Sequence, residues 1–415
     1  MNNNDLNKTL TYKLNKNFDM HTKILKNEIM VICEKTNYEP SDIIFSLERF
    51  LQVYNNMLND ISKVHIVCSY DIRGIKRIKI PGNIVLHRAG VWRERKGYIR
   101  LFFHLIYFFR IIKTSNDLLK KNQNISVIMN LMNHQTIGLI AIFLSKLSGR
   151  KSLVRITNEI SINHGFTKKF RLLKLFYKVV MQRMERFILD EADVLISVSP
   201  LILKKYPQYK NKIFLIHGST PALEAYCHNK IIKKTVGKYF HILFVGRLEP
   251  IKGVDILLDA LVGLRDVKCV IVGKGSMEDR LKERILELQL QDTVMLCGLL
   301  HQKKVFKLME KSDLLVLPSY SEYSPNVLIE AAAIGTPIIA SAIQGNKSLI
   351  KHGKTGLLFR KGDAKDLQKK ISFIQENPKV REILRKAAKE EICTIYSPII
   401  KRRKVENLFK LLYNE

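Results

Sequence analysis

Short apolar, β-branched runs recur along the chain, separated by longer stretches in which apolar and charged residues mix. That pattern predicts strands alternating with helices, the arrangement of parallel sheets covered on both faces. In the first half the runs are EIMVICE from Glu28, KVHIVCS from Lys63, NIVLHRA from Asn83, ISVIMNL from Ile125, KSLVRIT from Lys151, DVLISVS from Asp193 and KIFLIHG from Lys212. The second half repeats the rhythm with FHILFVG, VKCVIVG, TVMLCG, DLLVLPS, TPIIAS and a short GLLF. Beyond Asp366 the pattern is mostly helical. The expectation is an α/β chain with two doubly wound sheets in tandem. In such sheets ligands bind beyond the carboxyl ends of the strands, and two domains facing each other would make a cleft.

Length agrees, since 415 residues suit two domains of about 200 residues each. The stretch AYCHNKIIKKT, Ala225 to Thr235, has little periodicity and reads as the seam. The predicted division is 1–230, 231–397 and a last helix over 398–415 that packs back on the first domain.

Three strand-end loops of the second half carry candidate chemistry. After FHILFV comes GRLEPIKG, where Gly246 would let the backbone turn and Arg247 and Lys252 put two cations on one strand-to-helix loop. A phosphate needs a planar fork of donors, a point charge and a helix start nearby; a solvated basic turn reads the same way. The next loop, VGKGSMEDRL, spaces Gly273 and Gly275 so that a ligand could approach the backbone, or so that the chain simply turns tightly. The third, YSEYSPNVLIEAAAIGTPIIAS, has Glu322 in a Ser/Tyr/Pro loop and Glu330 near the start of an apolar helix drawn over 327–334. Carboxylates favour helix starts because the backbone dipole is positive there, so a capped core helix and a site both fit.

Taken together, GRLEPIKG, VGKGSMEDRL, LPSYSEYSPNVLIEAAAIGTPIIAS with its two spaced glutamates, and HGKTGLLF resemble the retaining nucleotide-sugar glycosyltransferases of family 4 (glycosyl transferases group 1). The likeness is clear from Phe240 to Lys370 and covers the first half in outline. It implies the GT-B fold, two tandem Rossmann-like domains facing a cleft with a C-terminal helix returning to the first. It implies that Arg247 and Lys252 hold the donor diphosphate, that Glu330 accepts from the ribose hydroxyls, and that Glu322 sits by the donor hexose. The backbone of Ser324, Pro325, Asn326 and Val327 would lie against sugar and phosphates, with Gly246 and Gly273 counted among the donor-binding residues. No cofactor is implied beyond the UDP- or GDP-sugar itself. With Arg and Lys stabilising the leaving diphosphate, and with no D-x-D motif, a divalent metal is not required.

The first half departs from the family. VICEKTNYEPSDIIF stands where a glycine-rich loop is usual, and Asn158 or Glu159 stands where a histidine near the reacting carbon is usual. His134 and His164 are substitutes on loops, where a histidine also serves as an ordinary surface residue. Tyr323 replaces the usual glycine after the first glutamate, and His217–Gly218 falls where Asn-Gly is often found.

Composition changes the picture at the edges. Cys33, Cys68, Cys227, Cys269, Cys297 and Cys393 are scattered without metal-like spacing, so neither disulfide nor metal site is expected and a reducing cytosol is the natural home. The polar, asparagine-rich start does not resemble a signal peptide. Lys+Arg 70 against Asp+Glu 38 gives a formal charge of +32, a field that attracts polyanions unless it is compositional drift. GYIRLFFHLIYFFRIIK (Gly97 to Lys113) and FTKKFRLLKLFYKVVMQRMERF (Phe166 to Phe187) mix aromatic, Leu and basic residues. They suit the plane of an anionic membrane where a lipid-linked acceptor would lie, or the surface of a sheet. No nucleic-acid module is present. The expected function is hexose transfer to a cell-surface glycan or lipid-linked acceptor on the inner face of a bacterial membrane. The alternative is a catalytically silent GT-B partner that binds nucleotide sugar.

Overall fold

The structure is a computed structural model that describes residues 28–32, 63–68, 84–89, 99–130, 136–156, 171–216, 221–227, 229 and 237–396, with scattered positions between 400 and 412. Each run that the hydrophobic pattern marked as a strand is one. The chain divides into two compact units; the terminal Arg402–Glu415 groups with the first and Ser199–Lys205 with the second.

Among the described residues the first unit holds β1 (Glu28–Ile32), β2 (Lys63–Cys68), β3 (Ile84–Arg88), β4 (Ile125–Asn130), β5 (Lys151–Ile156), β6 (Val194–Ser197) and β7 (Ile213–Leu215). All pair parallel in the order β3-β2-β1-β4-β5-β6-β7. Helices α1 (Ile99–Lys121), α2 (Thr136–Ser148) and α3 (Arg171–Glu191) make the crossovers from β3 to β6, and α4 (Leu201–Lys205) follows β6. Met30, Ile128, Ile111 and Ile140 close the core between sheet and helices. One polar knot is built into the sheet. His65 Nε2 lies 2.7 Å from Glu28 Oε2, Asn122 Nδ2 donates to the same oxygen at 2.7 Å, and His87 Nε2 lies 2.9 Å from His65 Nδ1. Burial first, and His65 second, lower the pKa of His87. His65 is buried and His87 half-buried, and both are partnered, which is how buried polar groups normally stand.

The second unit, with which α4 groups, continues with α5 (Pro221–Tyr226), whose Leu223 is buried in this unit's core. Its sheet contains β8 (Phe240–Val245), β9 (Val267–Val272), β10 (Val294–Leu296), β11 (Leu314–Leu317), β12 (Ile338–Ser341) and β13 (Leu357–Phe359). They are parallel in the order β10-β9-β8-β11-β12-β13. Around it lie α6 (Val254–Leu261), α7 (Glu278–Glu287), α8 (Gln302–Lys311), α9 (Asn326–Ile334), α10 (Gln344–Lys347), α11 (Ala364–Glu376) and α12 (Pro378–Ile395). Leu315, Val316, Ile242 and Phe244 are buried from solvent, as expected of strands covered on both faces.

The cysteine expectation is corrected. Cys227, just past α5, forms a disulfide with Cys393 of α12 across a sequence separation of 166. Both α5 and α12 pack on α9, and this shared neighbour brings the two sulfurs together. Reduction, or the double substitution Cys227→Ser with Cys393→Ser, is expected to lower the unfolding free energy by about 2–4 kcal/mol. Urea melts with and without reductant check this; coincident curves would exclude it.

Among the described residues no helix is long and apolar enough to cross a membrane.

Candidate active site

The strand order of the second unit reverses between β8 and β11. This is the switch point at which open α/β sheets bind ligands, because the loops on either side diverge and leave a crevice beyond the strand ends. The two loops that leave there are GRLEPIKG and PSYSEYSPN.

They are sewn together by backbone. Tyr320 N–H donates to Ile251 O at 2.8 Å, and Lys252 closes a 3-10 turn, Pro250–Lys252, that leads into α6. This brings two of the predicted residues into contact: Lys252 Nζ lies 2.5 Å from Glu322 Oε1, with the side chains 17% and 11% exposed. Two opposite charges that far out of water need each other and further hydrogen bonds. Arg247 is exposed on the same loop.

The loop after β9 is fastened to the loop after β8. Leu248 N–H donates to Lys274 O at 2.9 Å and Met277 N–H to Leu248 O at 2.9 Å. Ser276 Oγ donates to Glu249 Oε2 at 2.7 Å and Ser276 N–H to Oε1 at 3.2 Å. The hydroxyl's bond, foremost, holds the Glu249 carboxyl below its usual pKa.

Two sequence expectations change here. Gly246 is absent from the positive-φ residues, whereas Gly253 of the same loop, with φ +62°, and Gly273, with φ +145°, are among them. The space beside Gly273 and Gly275 is filled by the protein's own backbone. A Cβ on Gly273 would stand 1.8 Å from Gly246 O, and one on Gly275 2.3 Å from Leu248 O. These glycines let two loops interlock.

The helix with Glu330 begins at Asn326, capped by Pro325 without a side-chain hydrogen bond, and has no acidic residue in its first turn. Glu330 therefore lies past the turn where the dipole acts, which removes the capping explanation for it. It is buried, 7% exposed, among the alanines of α9. Ser324, Asn326 and Val327 are half-buried at the helix start, Pro325 is buried, and Tyr323 is half-buried.

Sequence reasoning missed the residues that support Glu322. Ser319, Ser341, Gly345 and Asn346 are buried around it, and only the glycine at the start of α10 carried any signal. The first-unit candidates Asn158, Glu159, His134, His164, His217 and Gly218, and the loop after β1, lie outside the described residues.

The family of glycosyl transferases group 1 matches residues 228–391. A glycosyltransferase of Methanocaldococcus jannaschii, the uncharacterized MJ1178, is 30% identical over 206 residues, 49% of this chain and 56% of its own length. D-inositol 3-phosphate glycosyltransferase of Pseudarthrobacter chlorophenolicus is 31% identical over 157 residues, 36% of this chain and 37% of its own length. The matched region thus spans about half or less of these relatives. Among solved structures, HepE of Anabaena in complex with UDP-glucose aligns with a TM-score of 0.66 at 16% identity, covering 92% of this chain and 99% of its own. Sucrose-phosphate synthase of Thermosynechococcus elongatus aligns with a TM-score of 0.72 at 20% identity, covering 93% and 99%. Identity this low speaks for the fold, which is GT-B with two Rossmann-like domains. The match to the glycosyl transferases group 1 falls on the second half of the chain, over residues 228–391, where the candidate site lies.

Proposed function

We infer that the protein is a retaining glycosyltransferase of family 4, moving a hexose from a UDP- or GDP-sugar to a glycan or lipid-linked acceptor of the cell envelope. The observation that carries this reading is the Lys252–Glu322 pair at the switch point of a group 1 domain. A cation beside a carboxylate there suits a donor with a charged diphosphate and a hydroxyl-rich sugar. HepE, similar in fold, is described in complex with UDP-glucose.

In this reading Arg247 and Lys252 stabilise the charge that grows on the diphosphate as its bond to the sugar carbon breaks. The acceptor oxygen attacks from the same face, and its proton passes to the leaving phosphate oxygen. Protein cations carry the charge, so the step needs no divalent ion. Glu330 holds the ribose hydroxyls and Glu322 the hexose. On the acceptor side, α3 exposes Arg183, Arg186 and Phe187, and α1 exposes Phe109, Arg110 and Lys113. Basic and aromatic helices of this kind fit an anionic membrane face on the cytoplasmic side.

The test is incubation of purified protein with UDP-glucose, UDP-galactose, UDP-N-acetylglucosamine and GDP-mannose plus a membrane extract. Donor-dependent release of UDP or GDP is expected. Glu330→Ala should lower kcat/KM about 10- to 100-fold, since hydrogen bonds to a charged group contribute about 1.5–3 kcal/mol. Nucleotide binding without release would make the chain a silent partner and overturn the enzyme reading.

A further inference from the structure

We propose that Ser319 is a positioning residue for Glu322, set in place by a buried hydrogen-bond chain that starts at Asn346. The proposal rests on the donor-site reading above and adds to it the side chains that hold the sugar-facing carboxylate.

Ser319 follows β11, and its Oγ donates to Glu322 Oε1 at 2.7 Å, the oxygen that Lys252 Nζ also meets. Its backbone carbonyl accepts from Ser341 Oγ at 2.5 Å. Ser341 ends β12 and is held in turn by Asn346 of α10, whose Nδ2 donates to Ser341 O at 2.9 Å and lies 3.1 Å from Ser341 Oγ. Ser319, Ser341 and Asn346 are each 0% exposed. The backbone of α10 is pressed onto the same carboxylate residue, for a Cβ on Gly345 would stand 2.1 Å from Glu322 O.

Ser319 and Ser341 at strand ends and Asn346 in α10 are fully buried polar side chains, costly to desolvate where unbonded. Each makes a hydrogen bond, with Asn346 Oδ1 the atom of the three left without one among the described residues. Here their bonds run in one direction and finish on one carboxylate oxygen. Both donors sit on Oε1, so the plane of the Glu322 carboxylate is fixed while Oε2 takes neither. Ser319 thereby acts on the hexose through Glu322, whereas the diphosphate answers to Arg247 and Lys252. Losing Ser319 Oγ should therefore affect the sugar more than the nucleotide.

The experiment measures binding by calorimetry for the panel sugar nucleotide that wild type binds most tightly and for its nucleoside diphosphate alone. Wild type, Ser319→Ala and Ser319→Thr are compared, with thermal melts to verify folding. Ser319→Ala should weaken sugar-nucleotide binding about tenfold, the scale of one hydrogen bond to a charged group, and change diphosphate binding less than about twofold. Ser319→Thr, which keeps the hydroxyl, should restore the difference. Equal loss for both ligands would mean a merely structural role, and no loss would mean no role; either result overturns the proposal. If wild type binds none of the four sugar nucleotides, the donor-site reading falls and the proposal with it. If wild type binds and Ser319→Ala matches it, only the positioning role falls.

Discussion

Gly273→Ala is expected to destabilise the second unit by about 2–6 kcal/mol, combining about 1–3 for a side chain forced into a glycine-only backbone region with about 1–3 for overpacking. The backbone there has φ +145°, and the new methyl would meet Gly246 O at 1.8 Å. Neither partner can yield cheaply. Gly273 N–H is bonded to Gly298 O at 2.9 Å and Gly246 N–H to Val272 O at 3.0 Å, so moving one carbonyl breaks the registry of three strand ends. Gly263→Ala separates the two contributions, since Gly263 has φ +80° with nothing within 4 Å of a Cβ. It should cost only the conformational part, about 1 kcal/mol. Urea unfolding followed by circular dichroism compares the two variants. Equal destabilisation would mean that the interlock of the β8 and β9 loops contributes nothing.

The strands were legible because each is a short run of apolar, β-branched residues between polar stretches, a signal that needs no knowledge of neighbours. Their order within each sheet had no such signal, and the switch point between β8 and β11 emerges only from the pairing. Residue type and spacing marked Arg247, Lys252, Glu322 and Glu330 as candidates, and the family resemblance supplied their expected roles. The contact of Lys252 with Glu322 spans 70 positions and depends on two loops meeting at that switch point. Helix-dipole reasoning explained Glu330 wrongly, because α9 starts early enough to leave it beyond the first turn. The Cys227–Cys393 bond was hidden for a similar reason: its geometry comes from two helices sharing α9 as a neighbour, and no spacing rule encodes that. Ser319, Ser341 and Asn346 were hidden because serine and asparagine are common in loops, and only burial distinguishes these from their exposed counterparts.

Lys252→Ala is expected to lower donor turnover about 10²- to 10³-fold, the range seen when one preorganised group facing developing charge is removed. The lysine has two partners in this reading, Glu322 in the structure and the diphosphate in the complex, and the two roles make different predictions. If Lys252 only neutralises Glu322, then Glu322→Ala should repair Lys252→Ala, because no buried carboxylate would be left uncompensated. If it also binds phosphate, the double variant regains stability but not nucleotide affinity. A double-mutant cycle read by both melting and calorimetry distinguishes them, with an expected stability coupling of about 1–3 kcal/mol between the two side chains. Nucleoside diphosphate affinity should fall at least about tenfold in Lys252→Ala and in the double variant, yet hold in Glu322→Ala, where the cation remains. Lys252→Ala binding UDP or GDP as tightly as wild type would remove the lysine from the donor site and leave it a structural counter-ion.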